Sequence, residues 1–475
     1  MSDSQNVSRR RLLKTSCGLL GVGLSDFLRL RNTTGAAEFN SASAVSSRPG
    51  PQQKARNGTG KAKSCIVLFC WGGMSHFESF DPKPLAPPEI RGEFSPISTA
   101  VPGIQVSEHI PLLAQQTNRL AIVRSVHHGS AAHGKGMYWN MTGHAPPQEG
   151  TAANLPPSKD DWPSLMAMVS KFKKSPKGMP PCLRLPYPLV DNGTLQAGEY
   201  SGWLGIEHDP IVVKTPAGRP WNGVSRSLGS AVLDFSVPLN APQADARKSL
   251  LHQLDRSTKA DAFETHNYFQ QLAHDMVANE KVRRAFDLDR EPTKTRDRYG
   301  RHICGQSVLM SRRLVEAGVP IVTVCCAAGD LNGSKGDHWD THANNFNRLK
   351  NDMLPPFDRA ASALLDDLDQ RGQLDETLVV ILTEFGRTPR INGGAGRDHF
   401  PGCYSVAFAG GGISGGQVYG SSDNMGARPA TNPCGPADLH ATIFRALGIS
   451  HTSTLHDKLG RPFTICDGSP LPLFG

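Results

Sequence analysis

The sequence predicts an α/β fold: a mostly parallel central sheet with helices between its strands. Three observations predict it. First, "SCIVLFCW" (64–71), "RLAIVRS" (119–125), "VPIVTVCC" (319–326) and "TLVVILTE" (377–384) are apolar at successive positions, as strands buried on both faces must be. Second, helix-patterned segments lie between these runs. Third, each run leads into a segment rich in Asp, Glu, His and Ser, and open parallel sheets bind ligands beyond the carboxyl ends of their strands.

The chain has 475 residues, enough for one large α/β domain with insertions. Its 48 Gly and 36 Pro predict long ordered loops. The formal charge is +8, but beyond the N-terminus Lys and Arg are scattered, with no basic stripe interleaved with aromatics. That excludes nucleic acid from the expected partners.

In order along the chain, "SRRRLLK" (8–14) precedes the apolar "TSCGLLGVGLSDFL" and the small residues Ala42-Ser43-Ala44. Residues 1–44 are read as a twin-arginine export signal, which implies a periplasmic or secreted protein. The apolar run is too short to span a bilayer, so no stable membrane anchor is expected. Residues 45–62 read as a disordered linker. Residues 63–475 read as one α/β domain.

The first strand run leads into "GGMSHFESFDPKP", with Ser75, His76, Glu78 and Asp81. Its Gly-Gly turn is of the kind that brings backbone amides close to a bound anion. The second leads into "HHGSAAHGKG", holding His127, His128, Ser130 and His133, with Arg124 and Lys135 placed to meet an anionic group. A long helix, broken once, is predicted over 244–286, and another over 305–318.

The third strand run leads to "GDHWDTHANNF" (336–346), with Asp337, His338, Asp340 and His342. Carboxylate and imidazole donors suit zinc or a similar divalent ion. Asp340 or Thr341 could also cap the helix that follows, a role compatible with metal binding; that helix is predicted over 347–372 with its prolines near a kink or start. Glu384 ends the fourth run; a buried carboxylate there needs a cation, either Arg387 or a metal. "GRDHF" then adds Asp398 and His399, and a helix closes the set over 436–449. Of ten cysteines, Cys325 and Cys326 read as buried thiols, while Cys403, Cys434 and Cys466 are open to disulfide pairing.

The set "GGMSHFESFDPKP", "IRGEFSPI", "RSVHHGSAAHGKGMYWNMTG", "YSGWLG", "YGRHICGQSVLMSRRLVEAGV", "GDHWDTHANNF", "LTEFGRTPRINGGAGRDHF" and "DLHATIFRALGI" resembles the domain-of-unknown-function 1501 family over nearly all of residues 62–450. That family is grouped with the alkaline phosphatase and sulfatase superfamily. The resemblance implies an alkaline-phosphatase-like three-layer sandwich with a metal-centred site for phosphate or sulfate esters.

For one metal, Asp340, His342 and His399 resemble the superfamily's carboxylate, His and late His, although the D-x-H spacing is tighter than usual. For a second metal, Trp71-Gly72-Gly73 and Glu384-Phe385 stand where the superfamily carries Asp and Asp-His. The count of one or two ions therefore stays open, with zinc expected and calcium or manganese as alternatives. Nine residues before Thr142, where the sulfatase nucleophile falls, stands His133, so His133 is nucleophile or ligand and Ser130 the alternative nucleophile.

The expected metal ligands are thus Asp340, His342, Glu384, Asp398, His399, Glu78 and His76, with Arg124, Lys135 and Arg387 offsetting the charge of the substrate. The expected function is an exported, metal-dependent hydrolase of small anionic esters or of sulfated or phosphorylated polymers. The alternative is a non-catalytic surface or periplasmic binding protein that keeps the fold with a degenerate site.

Overall fold

Eight strands make one sheet in the computed structural model, which describes residues 60–147, 154–213, 261–327 and 338–475. They are β1 (Ser64–Phe69), β2 (Leu120–Val126), β3 (Cys182–Leu185), β4 (Ile211–Val212), β5 (Ile321–Cys325), β6 (Thr377–Leu382), β7 (Tyr404–Ala409) and β8 (Gln417–Tyr419), in the order β8-β2-β7-β6-β1-β5-β3-β4. β1 pairs in parallel with β5 and β6, β5 with β3, β3 with β4, and β2 with β8. β7 is antiparallel to both β6 and β2, so it alone runs against the others. The four runs read from sequence are β1, β2, β5 and β6, and all four point the same way. The export signal and nearly all of the linker lie outside the described residues.

Every residue of β1, β5 and β6 is buried, so both faces of the sheet are covered. The principal helices are α1 (His133–Thr142), α2 (Leu165–Phe172), α3 (Ile303–Glu316), α4 (Leu354–Gln370) and α5 (Pro436–Ala446). α3 packs on β1 and β5 and against α4, while α1 packs against α5. Pro355 and Pro356 lie in the first turn of α4, where they lack the amide hydrogens that would bond back to the preceding turn. A π-turn over Leu349–Met353 precedes it, at the kink the prolines predict. Of the long helical stretch before α3, residues 261–286 are described. They break at Asn279, whose side chain accepts the Lys281 amide and starts a second helix at Glu280.

None of the described helices is long and apolar enough to cross a membrane. Among the described residues every cysteine is a buried free thiol, including Cys403, Cys434 and Cys466, which the sequence leaves open to pairing. Cys403 donates to the Arg124 carbonyl and Cys466 to the Ala437 carbonyl, at 3.4 and 3.1 Å. Cys434 sits 3.8 Å from the Ser125 hydroxyl.

Candidate metal centre

The carboxyl ends of β1, β2, β5 and β6 deliver the site. After β1 the chain turns at Gly72 and Gly73, both at positive φ (117° and 85°). A Cβ on Gly72 would lie 2.4 Å from the Asp340 nitrogen, and one on Gly73 would lie 2.6 Å from the Phe385 ring. Only glycine lets the loops after β1, β5 and β6 approach this closely. The turn serves the protein's own side chains. The Gly72 amide donates to Oε1 of Glu384 at 2.7 Å, and the Gly72 and Gly73 carbonyls accept from Arg387.

Asp340 is the hub. Its Oδ1 lies 3.0 Å from Nε2 of His342, 3.0 Å from Nε2 of His399 and 2.6 Å from Nη2 of Arg387. Its Oδ2 faces Nε2 of His133 at 3.4 Å. The Nε2 atoms of His342 and His399 are themselves 2.9 Å apart. Burial raises the pKa of Asp340, but Arg387 and the three histidines outweigh it and hold the carboxyl well below the usual range.

All three imidazoles are fixed through Nδ1. His133 Nδ1 meets Oε1 of Glu384 at 3.0 Å, His342 Nδ1 meets Oδ1 of Asp398 at 2.7 Å, and His399 Nδ1 meets the Ala131 carbonyl at 2.8 Å. An acceptor at Nδ1 places the proton there and leaves Nε2 as a bare lone pair in the neutral ring. Three such lone pairs converge on one carboxylate. Burial lowers the pKa of His399 to about 4, which favours its neutral form. His133 is buried too, yet its interactions with Asp340 and Glu384 raise it to about 9, so a proton sits between the two carboxylates unless another cation takes its place.

His133, Asp340 and His399 offer ligand atoms within 4.8 Å of one another, and His342 joins through its contacts with the last two. The donor chemistry fits a zinc-like divalent ion. The spacing of 2.9–3.0 Å among Asp340, His342 and His399 is near the separation of about 3.3 Å set by metal–ligand bonds of roughly 2.0 Å. The Nδ1 anchors are the outer contacts that metal-bound histidines carry.

Asp340 does not cap the following helix. That helix starts at Asn345, with Asn344 as cap in a left-handed conformation. His338 uses Nδ1 to accept the Asp340 amide, and Asp337 lies outside the described residues. Glu384 is fully buried and accepts from Gly72 and His133 through Oε1, with Oε2 3.3 Å from the Thr383 hydroxyl; it positions His133. Asp398 likewise positions His342 and also accepts from Asn392 at 3.2 Å.

Glu78 and His76 are engaged elsewhere. Glu78 receives Nε and Nη2 of Arg397 at 3.0 and 2.8 Å, and His76 Nε2 meets the Gly426 carbonyl at 2.9 Å. Arg124 reaches the Gln105 carbonyl at 2.7 Å and lies 3.6 Å from Asp81. Arg387 is fully buried, with three backbone carbonyls and Asp340 around its guanidinium. Lys135 is buried in the first turn of α1. The Ser130 hydroxyl accepts the Ala132 amide at 3.3 Å, just before α1.

Three contributors escaped the sequence reading. Arg397, within "GRDHF", is signalled only as an arginine beside a ligand pair. Asn140, which donates to the Glu384 carbonyl at 2.8 Å, and the Ala131 carbonyl have no local signature.

Fold and site together define an α/β protein with a carboxylate and three oriented imidazoles beyond the carboxyl ends of a mostly parallel sheet. The chain belongs to the family described as "Protein of unknown function (DUF1501)", whose model matches residues 62–472. No curated protein matches significantly. Among solved structures, the chain is similar to Ps i-CgsB in complex with k-i-k-neocarrahexaose, at 12% identity over 85% of this chain and 74% of that one, TM-score 0.40. It is similar to the phosphonate monoester hydrolase SpPMH from Silicibacter pomeroyi, at 10% identity over 86% and 76%, TM-score 0.35. A third similar structure is the PsFucS1 sulfatase from Pseudoalteromonas sp., at 12% identity over 81% and 68%, TM-score 0.34.

Proposed function

We propose that this protein is a metal-dependent hydrolase of phosphate or sulfate esters. One observation carries the reading: His133, His342 and His399 are each anchored at Nδ1 and each present Nε2 to Asp340. Imidazole nitrogens and a carboxylate aimed at one point form a donor set that suits a divalent ion, which would take the place of the proton that His133 otherwise holds. Asp340, His342, His399 and His133 would hold the ion. When bound there, a divalent ion supplies Lewis-acid polarisation of an ester oxygen.

The protein's own groups prepare the place. Glu384 fixes the tautomer and direction of His133, Asp398 does so for His342, and the Ala131 carbonyl for His399. Arg387 holds Asp340 in position and offsets part of its charge. The side chain of His342 is 45% exposed and that of Asp398 53%, so an ester approaches from their side. The resemblance of the motif set to the domain-of-unknown-function 1501 family, grouped with the alkaline phosphatase and sulfatase superfamily, supports phosphate and sulfate esters as the substrate class.

We also propose that the protein is exported. Its N-terminus carries the twin-arginine layout, and the buried free thiols among the described residues suit a chain that folds in a reducing compartment before transport.

The test pairs elemental analysis with hydrolysis of 4-nitrophenyl phosphate and 4-nitrophenyl sulfate, for the native chain, Asp340→Ala and His399→Ala. Native protein purified without chelator is expected to carry a divalent ion and release 4-nitrophenol from at least one ester. Both variants are expected to lose ion and activity together. A metal-free native protein, or variants that hydrolyse as fast as native, would overturn the reading.

A further inference from the structure

Resting on that reading, we infer that the centre takes a single divalent ion and that the buried guanidinium of Arg387 is the built-in second positive charge. Two-metal hydrolases place their ions roughly 3.5–4 Å apart and share oxygen ligands between them. Here the second charge already belongs to the protein. Arg387 is fully buried, its Nη2 lies 2.6 Å from the Oδ1 of Asp340 shared by His342 and His399, and Nε and Nη1 are tied to the Gly73 and Arg397 carbonyls at 3.0 Å each. Nη2 also donates to the Gly72 carbonyl. A guanidinium stays charged at any working pH and is spread over a rigid plane, so it remains where the scaffold fixes it.

The carboxylates around the cluster each already hold a protein partner. Oε1 of Glu384 accepts from Gly72 and faces Nδ1 of His133, while its Oε2 lies 3.3 Å from the Thr383 hydroxyl. Asp398 accepts from His342 and Asn392, and Glu78 is paired with Arg397. Among the described residues, the ligand group centred on Asp340 is the one found. A second ion would therefore meet a fixed cation beside the very Asp340 oxygen that His342 and His399 share. Arg387 acts as a positioning residue, holding Asp340 toward the first ion.

Zinc stoichiometry tests this. The full-length protein is equilibrated with excess zinc and desalted, and its zinc is counted for native, Glu384→Gln, Arg387→Lys and Arg387→Ala chains. Circular dichroism of each confirms folding. One equivalent is expected for native, Glu384→Gln and Arg387→Lys, and more than one for Arg387→Ala, where the fixed charge is gone. Two equivalents in the native chain overturn the inference and leave the hydrolase reading standing. Complete loss of zinc from a folded Glu384→Gln chain overturns it as well, because Glu384 would then be a ligand. A single equivalent in a folded Arg387→Ala chain overturns the role given to Arg387. If Arg387→Ala does not fold, the native and Glu384→Gln counts still decide the stoichiometry. No zinc in any chain overturns both this inference and the proposed function.

Discussion

Nδ1 of His133, the first residue of α1, lies 3.0 Å from Oε1 of Glu384, which follows β6 by two residues. The two are 251 positions apart in sequence. Because the Gly72 amide also donates to that oxygen, Glu384 has little freedom to turn, and His133 inherits its orientation. A residue that resembles a ligand in sequence thus works by aiming another.

Replacing Glu384 with Gln should therefore weaken the metal without abolishing its binding. Loss of such an outer contact lowers metal affinity about 10–100-fold. Competition titration against a chromogenic zinc chelator measures this directly. Affinity unchanged within a factor of two would mean that His133 needs no such anchor.

Much of the fold was legible because buried parallel strands announce themselves as apolar runs. β1, β2, β5 and β6 each have five to seven residues, long enough to stand out. β3 and β4 have four and two residues, too few to distinguish from loop. β7, "YSVAFA", is long enough, but it enters antiparallel between β6 and β2 without a helix before it, so a reading built on alternating strands and helices passed over it.

In the site, Asp340, His342, Asp398 and His399 declared themselves through local spacing. The divisions between Glu384 and Glu78, or between Arg387 and Arg397, did not. Each depends on which partner lies across the fold: Glu78 meets Arg397 from 319 positions away, and Arg387 meets the Gly73 carbonyl from 314.

Asp340→Ala should cost stability as well as metal. It leaves the fully buried Arg387 guanidinium without its carboxylate, and breaking a buried pair from one side costs about 3–5 kcal/mol. Asp340→Asn retains an oxygen acceptor and should cost less. Urea denaturation of the metal-free proteins separates the two. Equal midpoints for native and Asp340→Ala would show that the backbone carbonyls alone compensate Arg387.

Glu78→Ala should have the opposite profile. The Glu78–Arg397 pair is buried, and Arg397 also lies over the Phe77 ring at 4.3 Å and donates to the Ile90 carbonyl at 2.7 Å. Removing Glu78 should destabilise the fold by about 3–5 kcal/mol while folded protein keeps its full complement of metal. Loss of metal from folded Glu78→Ala would return Glu78 to the ligand set.

The described thiols should resist modification in the native state. Cys65, Cys182 and Cys325 are fully buried, and burial raises the Cys325 thiol to about 12, so little reactive thiolate exists at neutral pH. Ellman's reagent should label these positions only after denaturation, and peptide mapping without reductant should find Cys403, Cys434 and Cys466 unbridged. A bridged peptide joining any two of them would contradict the fold as described.

His302 supplies a pH dependence remote from the metal ligands. It caps α3, with Nδ1 accepting the Gly305 amide at 3.1 Å, which requires the unprotonated ring. Burial, assisted by the nearby charge of Arg359, lowers its pKa to about 4, against about 6.5 in the unfolded chain. A folded-state pKa below the unfolded value means that the unfolded chain binds the proton first as the solution is acidified. The stabilisation is therefore complete above about pH 6.5 and is lost as pH falls through 6.5 toward 4, up to about 3 kcal/mol in total. His302→Asn keeps a capping oxygen and does not titrate. The difference in unfolding free energy between His302→Asn and native should shift in favour of the variant as pH is lowered from 7 to 4.5. A constant difference across that range would show that His302 takes up no proton on unfolding.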